Sequence, residues 1–281
     1  MFADGLLAPN NPWFARNIVN RYWAWLVGRG IIHEPDDIRA DNPPSNAALL
    51  NYLEGELVAS HYDLKHLCRL ILNSQTYQLS SVPRFTTPEA TANFASYPLR
   101  RLDAEVLIDA INKITGGTDL YTSAIPEPFT YIPEDQPAIA LPDGSITSPF
   151  LALFGRSARA TGMSSERDNK PVSAQWLHLL NSSQIQRKIE QSANLKAIMD
   201  PARPQSAIIE ELYLTILSRF PTPAEITTIG AYGLTKPGKP APPNADKSAT
   251  APVPPIVIKR REDWLDIAWS LINSTEFIYL H

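Results

Sequence analysis

One cysteine, Cys68, is all that 281 residues contain, and that scarcity removes several classes of protein at once. No intrachain disulfide can form, and neither a Cys-x-x-Cys-His haem attachment nor a cysteine-rich zinc site is available. Long apolar runs are missing too: no stretch of about 18 apolar residues could cross a bilayer as a helix. Met1 to Pro9 lacks the basic start and apolar run of a signal peptide, so the polypeptide taken alone is expected to stay cytoplasmic unless its N-terminus is a truncation. Charge of one sign is not in excess. The 29 acidic and 25 basic residues leave a formal net charge of -4, and no Lys/Arg block could track a phosphate backbone, so nucleic acid is not an expected partner. There is no Gly-x-Ser-x-Gly elbow, Walker-type loop or Gly-x-Gly-x-x-Gly fingerprint, which argues against ATP, NAD and serine-hydrolase chemistry.

What is present is helical punctuation. Three apolar helical runs end in the same step, at Asn73-Ser74, Asn181-Ser182 and Asn273-Ser274. Asn tolerates the left-handed conformation that closes a helix and Ser caps the next, so each copy reads as helix, break, helix. Asn11-Pro12 opens a first helix that Gly28 and Gly30 close; Phe14, Ile18, Tyr22, Trp25 and Leu26 form its apolar stripe, widened by Trp13, Val19 and Trp23. Further helices are predicted from near Ser45, from Asp63, from the Leu99–Glu105 segment to Gly116, between Val172 and Ile189, from Ser206 to Leu217, and after Thr222, where Glu225 completes a capping box.

Residues 118–149 read instead as a long ordered proline-rich loop with room for a short strand pair around Ala138–Leu141, and without helix. The expected fold class is therefore mainly α, an irregular multi-helix bundle. Its expected organisation is a helical body over 1–235, a flexible Pro-rich insertion over 236–258, and a C-terminal helix in 259–281 docking back on the body.

Three polar clusters could carry chemistry. On the first helix Arg16, Asn17, Asn20 and Arg21 lie at three- and four-residue steps beside Trp13, Trp23 and Trp25. Arginine forks recognise carboxylate, sulfate or phosphate and aromatic faces stack on sugars, so this face could hold an anionic saccharide; equally it could satisfy carbonyls of the following loop. His33 with Asp36 and Asp37 offers the donors of a weak metal site or an acid–base pair, against the plainer reading of a turn. Arg100, Arg101, Asp103 and Glu105 crowd a predicted helix start where the dipole disfavours arginine. Either Glu166 or Asp103 pairs with these arginines in an internal network, or Arg101, Arg156, Arg159 and Arg167 converge on a bound anion with Glu105 or Glu166 moving a proton.

Ordered runs then define a resemblance: Asn11-Pro-Trp-Phe-Ala-Arg16, Val19-Asn-Arg21, Gly28-Arg-Gly30, Pro35-Asp-Asp37, Asn42-Pro-Pro-Ser-Asn46, Tyr62-Asp-Leu-Lys65, Asn73-Ser-Gln-Thr-Tyr77 and Arg101-Leu-Asp-Ala-Glu105. Phe154-Gly-Arg156, Glu166-Arg167, Gln175 to Asn181, Arg219 to Glu225 and Asn273 to Phe277 extend it over nearly the whole chain. The set is similar to the planctomycete-type cytochrome-c-associated C-terminal domain, a family of unknown function (domain of unknown function 1553) from Planctomycetes, Verrucomicrobia and relatives. Where many relatives have cysteines ahead of Glu166-Arg167, this chain has Met163-Ser164-Ser165, which excludes thiol chemistry there.

The resemblance implies a periplasmic or cell-surface location, an upstream or partner domain carrying c-type haem, and a companion domain as partners, with a possible saccharide. It favours a non-catalytic interaction or substrate-handling module of a polysaccharide-related system. The alternative is a hydrolase or lyase on a decorated anionic saccharide, which needs His33, Asp37, Arg101, Glu105 and Arg167 in one cleft. A scaffold role for the tail is a third reading.

Overall fold

Helices begin where the sequence caps them in the computed structural model of this chain, which describes residues 4–5, 8, 11–123, 125, 131–141, 146–157, 167–168, 170–233 and 259–280. The Asn11 side chain accepts from the Trp13 amide at 2.8 Å, and Pro12 takes the first helical position, where no N–H is required. Helix α1 (Pro12–Val27) ends at Gly28, whose φ of 89° a side chain would resist. Asn46 and Asp63 cap α2 (Ala47–Ala59) and α3 (Leu64–Leu72), and α4 (Pro88–Ala92) follows Thr87. The described chain is mainly helical, as expected.

It divides into two compact units. The first comprises Met1–Arg101, Thr161–Asp168 and Tyr279–His281; the second comprises Leu102–Ala160 and Asn169–Ile278. In the first unit α1 packs on α2 and α3. Val19, Trp23, Val27, Leu50, Leu53, Leu57, Leu67 and Ile71 form the centre, with Phe94 edge-on to Trp23 at 5.2 Å. Each such buried side chain contributes about 1.5–3 kcal/mol. The buried face of α1 is Ala15, Val19, Trp23 and Val27, rotated from the expected Phe14–Ile18–Trp25 stripe; Trp13 and Trp25 are exposed. The rotation has a polar cause, since Asn20 is drawn inside by bonds to the 32–35 segment.

Arg100 and Arg101, expected at a helix start, form strand β1 (Arg100–Arg101), antiparallel to β2 (Tyr279–Leu280), with Arg100 opposite Leu280. The strand pair satisfies backbone groups that a helix starting there would leave open. In the second unit α5 (Ala104–Thr115) starts behind Asp103 and stops at Gly116, with φ 69°. The described residues of 118–149 depart from the expected strand pair at Ala138–Leu141. Ala138–Ala140 is a 3-10 turn, because the Asp109 carboxylate accepts from the Ala138 and Ile139 amides at 2.8 and 2.9 Å. An isolated antiparallel bridge joins Thr122 to Thr147, and α6 (Pro149–Leu153) closes the stretch.

After these come α7 (Ser173–Asn181), α8 (Ser183–Gln191), α9 (Ala193–Ile198), α10 (Gln205–Leu217), α11 (Pro223–Ala231), α12 (Arg261–Ile272) and α13 (Thr275–Ile278). The Thr222–Glu225 capping box before α11 forms as read from the sequence. Helix α12 packs on α10 and α8. The expected insertion over 236–258 lies outside the described residues.

At two of its three copies, Asn73 and Asn273, the Asn-Ser step closes its helix by a different device from the left-handed one expected. Asn73 and Asn273 keep φ near -86° and -91°, and each side-chain amide donates four residues back, to Arg69 O and Trp269 O at 2.8 and 2.9 Å. The following serines match as well. The Ser74 and Ser274 hydroxyls each donate back to a carbonyl at 2.7 Å and each accept an amide three residues on at 3.2 Å. Satisfying a terminal carbonyl with the side chain removes the need for positive φ.

Candidate functional site

The polar face of α1 is tied into the first unit. Asn20, wholly buried, donates to the Ile32 and Pro35 carbonyls and accepts from the Ile32 amide, each at 2.9 Å. Arg16 pairs with Glu54 at 2.7 Å, and this partner raises its pKa against the opposing effect of burial. Arg21 pairs with Asp36 at 2.6 Å, while Asn17 is half-buried on the same helix. Of these four residues Asn20 and Arg21 thus serve the loop that follows α1, while Arg16 ties α1 to α2.

That loop also holds His33 and Asp37. Asp37 pairs with Arg39 at 2.7 Å, and its carbonyl accepts from the Asn42 side chain. His33 Nε2 lies 3.2 Å from Glu34, and burial first, then the Arg29 charge, lowers its pKa against the pull of Glu34. Asp36, the remaining donor of the weak metal candidate, faces Arg21 instead. Among the described residues no group of three or more His, Cys, Asp or Glu could hold a metal ion.

In the second unit Glu105 and Arg156 meet at 3.1 Å with side chains 5% and 8% exposed, and Arg156 also donates to the Ile146 carbonyl. This pair differs from the expected network, in which Glu166 or Asp103 serves the arginines of the 100–105 cluster. Tyr121 lies in the same charged surroundings; burial, then the Asp119 and Asp109 charges, raises its pKa. Arg101 is buried in the first unit and Arg167 half-buried there. Arg100 caps α1, its guanidinium donating to Leu26 O at 3.0 Å. Glu166 and Arg159 lie outside the described residues.

Sequence reasoning missed two polar nodes. Lys188 on α8 donates to Asn112 Oδ1 and Thr118 O at 2.8 Å and pairs with Asp119, stitching α8 to the end of α5. Arg219 is held between Glu225 and Glu276, at 2.7 and 2.8 Å, over the Tyr213 ring. The resemblance motifs contained Arg219, Glu225 and Glu276, but nothing local linked residues 57 positions apart.

The concave feature beside the aromatic helix is a shallow groove of about 590 Å³ between α1 and α3. Tyr22, Leu64 and Leu72 supply its apolar surface, Lys65 and Arg69 its charge. Trp25, 53% exposed, packs beside the groove residue Tyr22 with ring centroids 5.2 Å apart. Cys68 lines the same groove half-buried; as the chain's lone thiol it does not fit the paired thioether attachment of a c-type haem.

No curated protein and no solved structure matches the chain. A family described as a protein of unknown function, DUF1553, matches residues 1–232. That match spans both the α1 motifs and the Arg219–Glu225 node, and by it the chain belongs to the DUF1553 family.

Proposed function

We propose that this chain is a non-catalytic interaction module of a larger cell-surface or periplasmic, cytochrome-c-associated system that handles polysaccharide, and that it docks through the α1–α3 groove on a haem-bearing or companion domain. The observation that carries this is the exposed apolar strip of the groove. Trp25 is 53% exposed, and Leu64 and Leu72 are each 38% exposed, flanked by Lys65 and Arg69 with no carboxylate in the lining. Contiguous exposed apolar surface rimmed by polar groups marks interaction sites, and aromatic residues with arginine are enriched where partners meet. The family resemblance supplies the kind of partner, and the haem belongs to that partner.

The hydrolase or lyase reading has less support. It requires free acid–base and anion-binding groups, whereas Arg16, Arg21, Asp36, Asp37, Glu105 and Arg156 are each engaged by another side chain. The test is binding of the full chain to separately produced haem-bearing and companion domains of the same architecture. Association is expected, weakened roughly tenfold or more by Trp25→Glu or Leu72→Glu, as for loss of an interfacial anchor. Absence of association with either domain, or binding indifferent to both substitutions, refutes the docking surface.

A further inference from the structure

In the second unit α9, α10 and the start of α12 surround a cavity of about 770 Å³, within the range of roughly 300–1,000 Å³ typical of small-molecule sites. Met199, Ile208 and Trp264 provide its apolar wall. Four cations line it, Lys196, Arg203, Lys259 and Arg261, against a single carboxylate, Asp200.

The way those cations are held decides the sign of the site. Lys259 is 7% exposed and donates to the carbonyls of Gly230, at 3.1 Å, and Tyr232, with the Trp264 ring centroid 5.7 Å away. Arg261 donates to the Glu190 carbonyl. Carbonyls fix these two groups in place without cancelling their charge. Lys196 is exposed, and its ammonium makes no hydrogen bond or ion pair among the described residues. Arg203 is balanced by Glu211, and Asp263, the carboxylate that acts on Lys259, is itself bonded by Arg260. Uncancelled positive charge over an apolar wall fits a ligand with one anionic group on an apolar body.

We propose that this cavity binds a small amphipathic organic anion, a carboxylate or sulfonate carried on an aromatic or other apolar framework. The chain's own 234–258 stretch is poorly matched in charge, since it carries Lys236, Lys239 and Lys247 against Asp246 alone. This site is separate from the groove of the first unit, so either can fail without the other.

The probe is 8-anilinonaphthalene-1-sulfonate, titrated by fluorescence into the full chain, with uncharged N-phenyl-1-naphthylamine as comparison. One saturable site per chain is expected, with the uncharged probe and Lys196→Glu each roughly tenfold weaker, as for loss of one charge contact, and with binding reduced by salt. Ala197→Trp, which fills the cavity from an exposed lining position, abolishes binding while the unfolding temperature is kept. The proposal is overturned by absence of a saturable site, by equal affinity for both probes, or by indifference to both substitutions. It is also overturned if the probe binds only after Ile256→Ser and Ile258→Ser, which would make the chain's own segment the occupant.

Discussion

Asn20→Ala offers the sharpest test of whether the polar face of α1 builds the fold or receives a ligand. The substitution removes three hydrogen bonds of 2.9 Å from a side chain with no solvent exposure, and strips the Ile32 carbonyl, the Ile32 amide and the Pro35 carbonyl of a partner. Each buried group left unsatisfied costs about 1–3 kcal/mol; partial hydration of the vacated space offsets some of this, so the expected loss is on the order of 3–6 kcal/mol. Hydrogen exchange at the Ile32 amide reads the effect where it arises, which matters because two units need not unfold in one step. Exchange there should accelerate roughly 100-fold or more, since about 1.4 kcal/mol is a factor of ten. Asn20→Asp keeps the shape but turns a carboxylate toward two carbonyl oxygens. Its folded-state pKa must then be raised, so its penalty is largest at neutral pH and shrinks as acid protonates the introduced group. If Asn20→Ala left both Ile32 protection and the unfolding midpoint at wild-type values, the structural role argued for this residue would be wrong.

Three further outcomes are expected. Glu105→Gln breaks a pair whose side chains are 5% and 8% exposed, and should cost about 3–5 kcal/mol, while replacing Glu105 and Arg156 together by leucine and methionine should recover much of that in thermal unfolding; a single variant as stable as wild type would contradict the pairing. Gly30→Ala would set a Cβ 2.2 Å from the Ile32 carbonyl oxygen, the atom Asn20 holds, so a loss of about 1–3 kcal/mol is expected in urea unfolding. Hydrogen bonding from Arg219 holds the Glu225 carboxyl down to about 2 from its ordinary 4.5, so its stabilisation is complete above about 4.5 and drains away as pH falls toward 2. Comparing wild type with Glu225→Gln across that window should show the difference vanish at the acid end, and a difference constant with pH would refute the assignment.

Legibility followed range along the chain. The caps at Asn11, Asp63 and Thr222, the stop at Gly28 and the three Asn-Ser closures are readable because each involves groups within four residues. Even so, the closing device differs at Asn73 and Asn273, whose side chains do the work expected of positive φ. The α1 stripe was misplaced by a fraction of a turn, because periodicity counts apolar residues and cannot register that an asparagine is worth burying when a distant loop supplies its partners. The family, too, was readable from ordered motifs, and it is the family that matches residues 1–232.

By itself, then, the amino-acid order determined a mainly helical chain, the ends of most helices and the kinship to DUF1553, since these rest on short-range geometry and on ordered short motifs. Tertiary structure alone decided which charges are spent on one another. Glu105 chose Arg156 across 51 positions and Arg219 chose Glu276 across 57, while Trp25 was left facing solvent. The reason is physical: a partner so far along the chain is set by how helices pack, and no local pattern encodes the direction in which a side chain will find low-dielectric company or water.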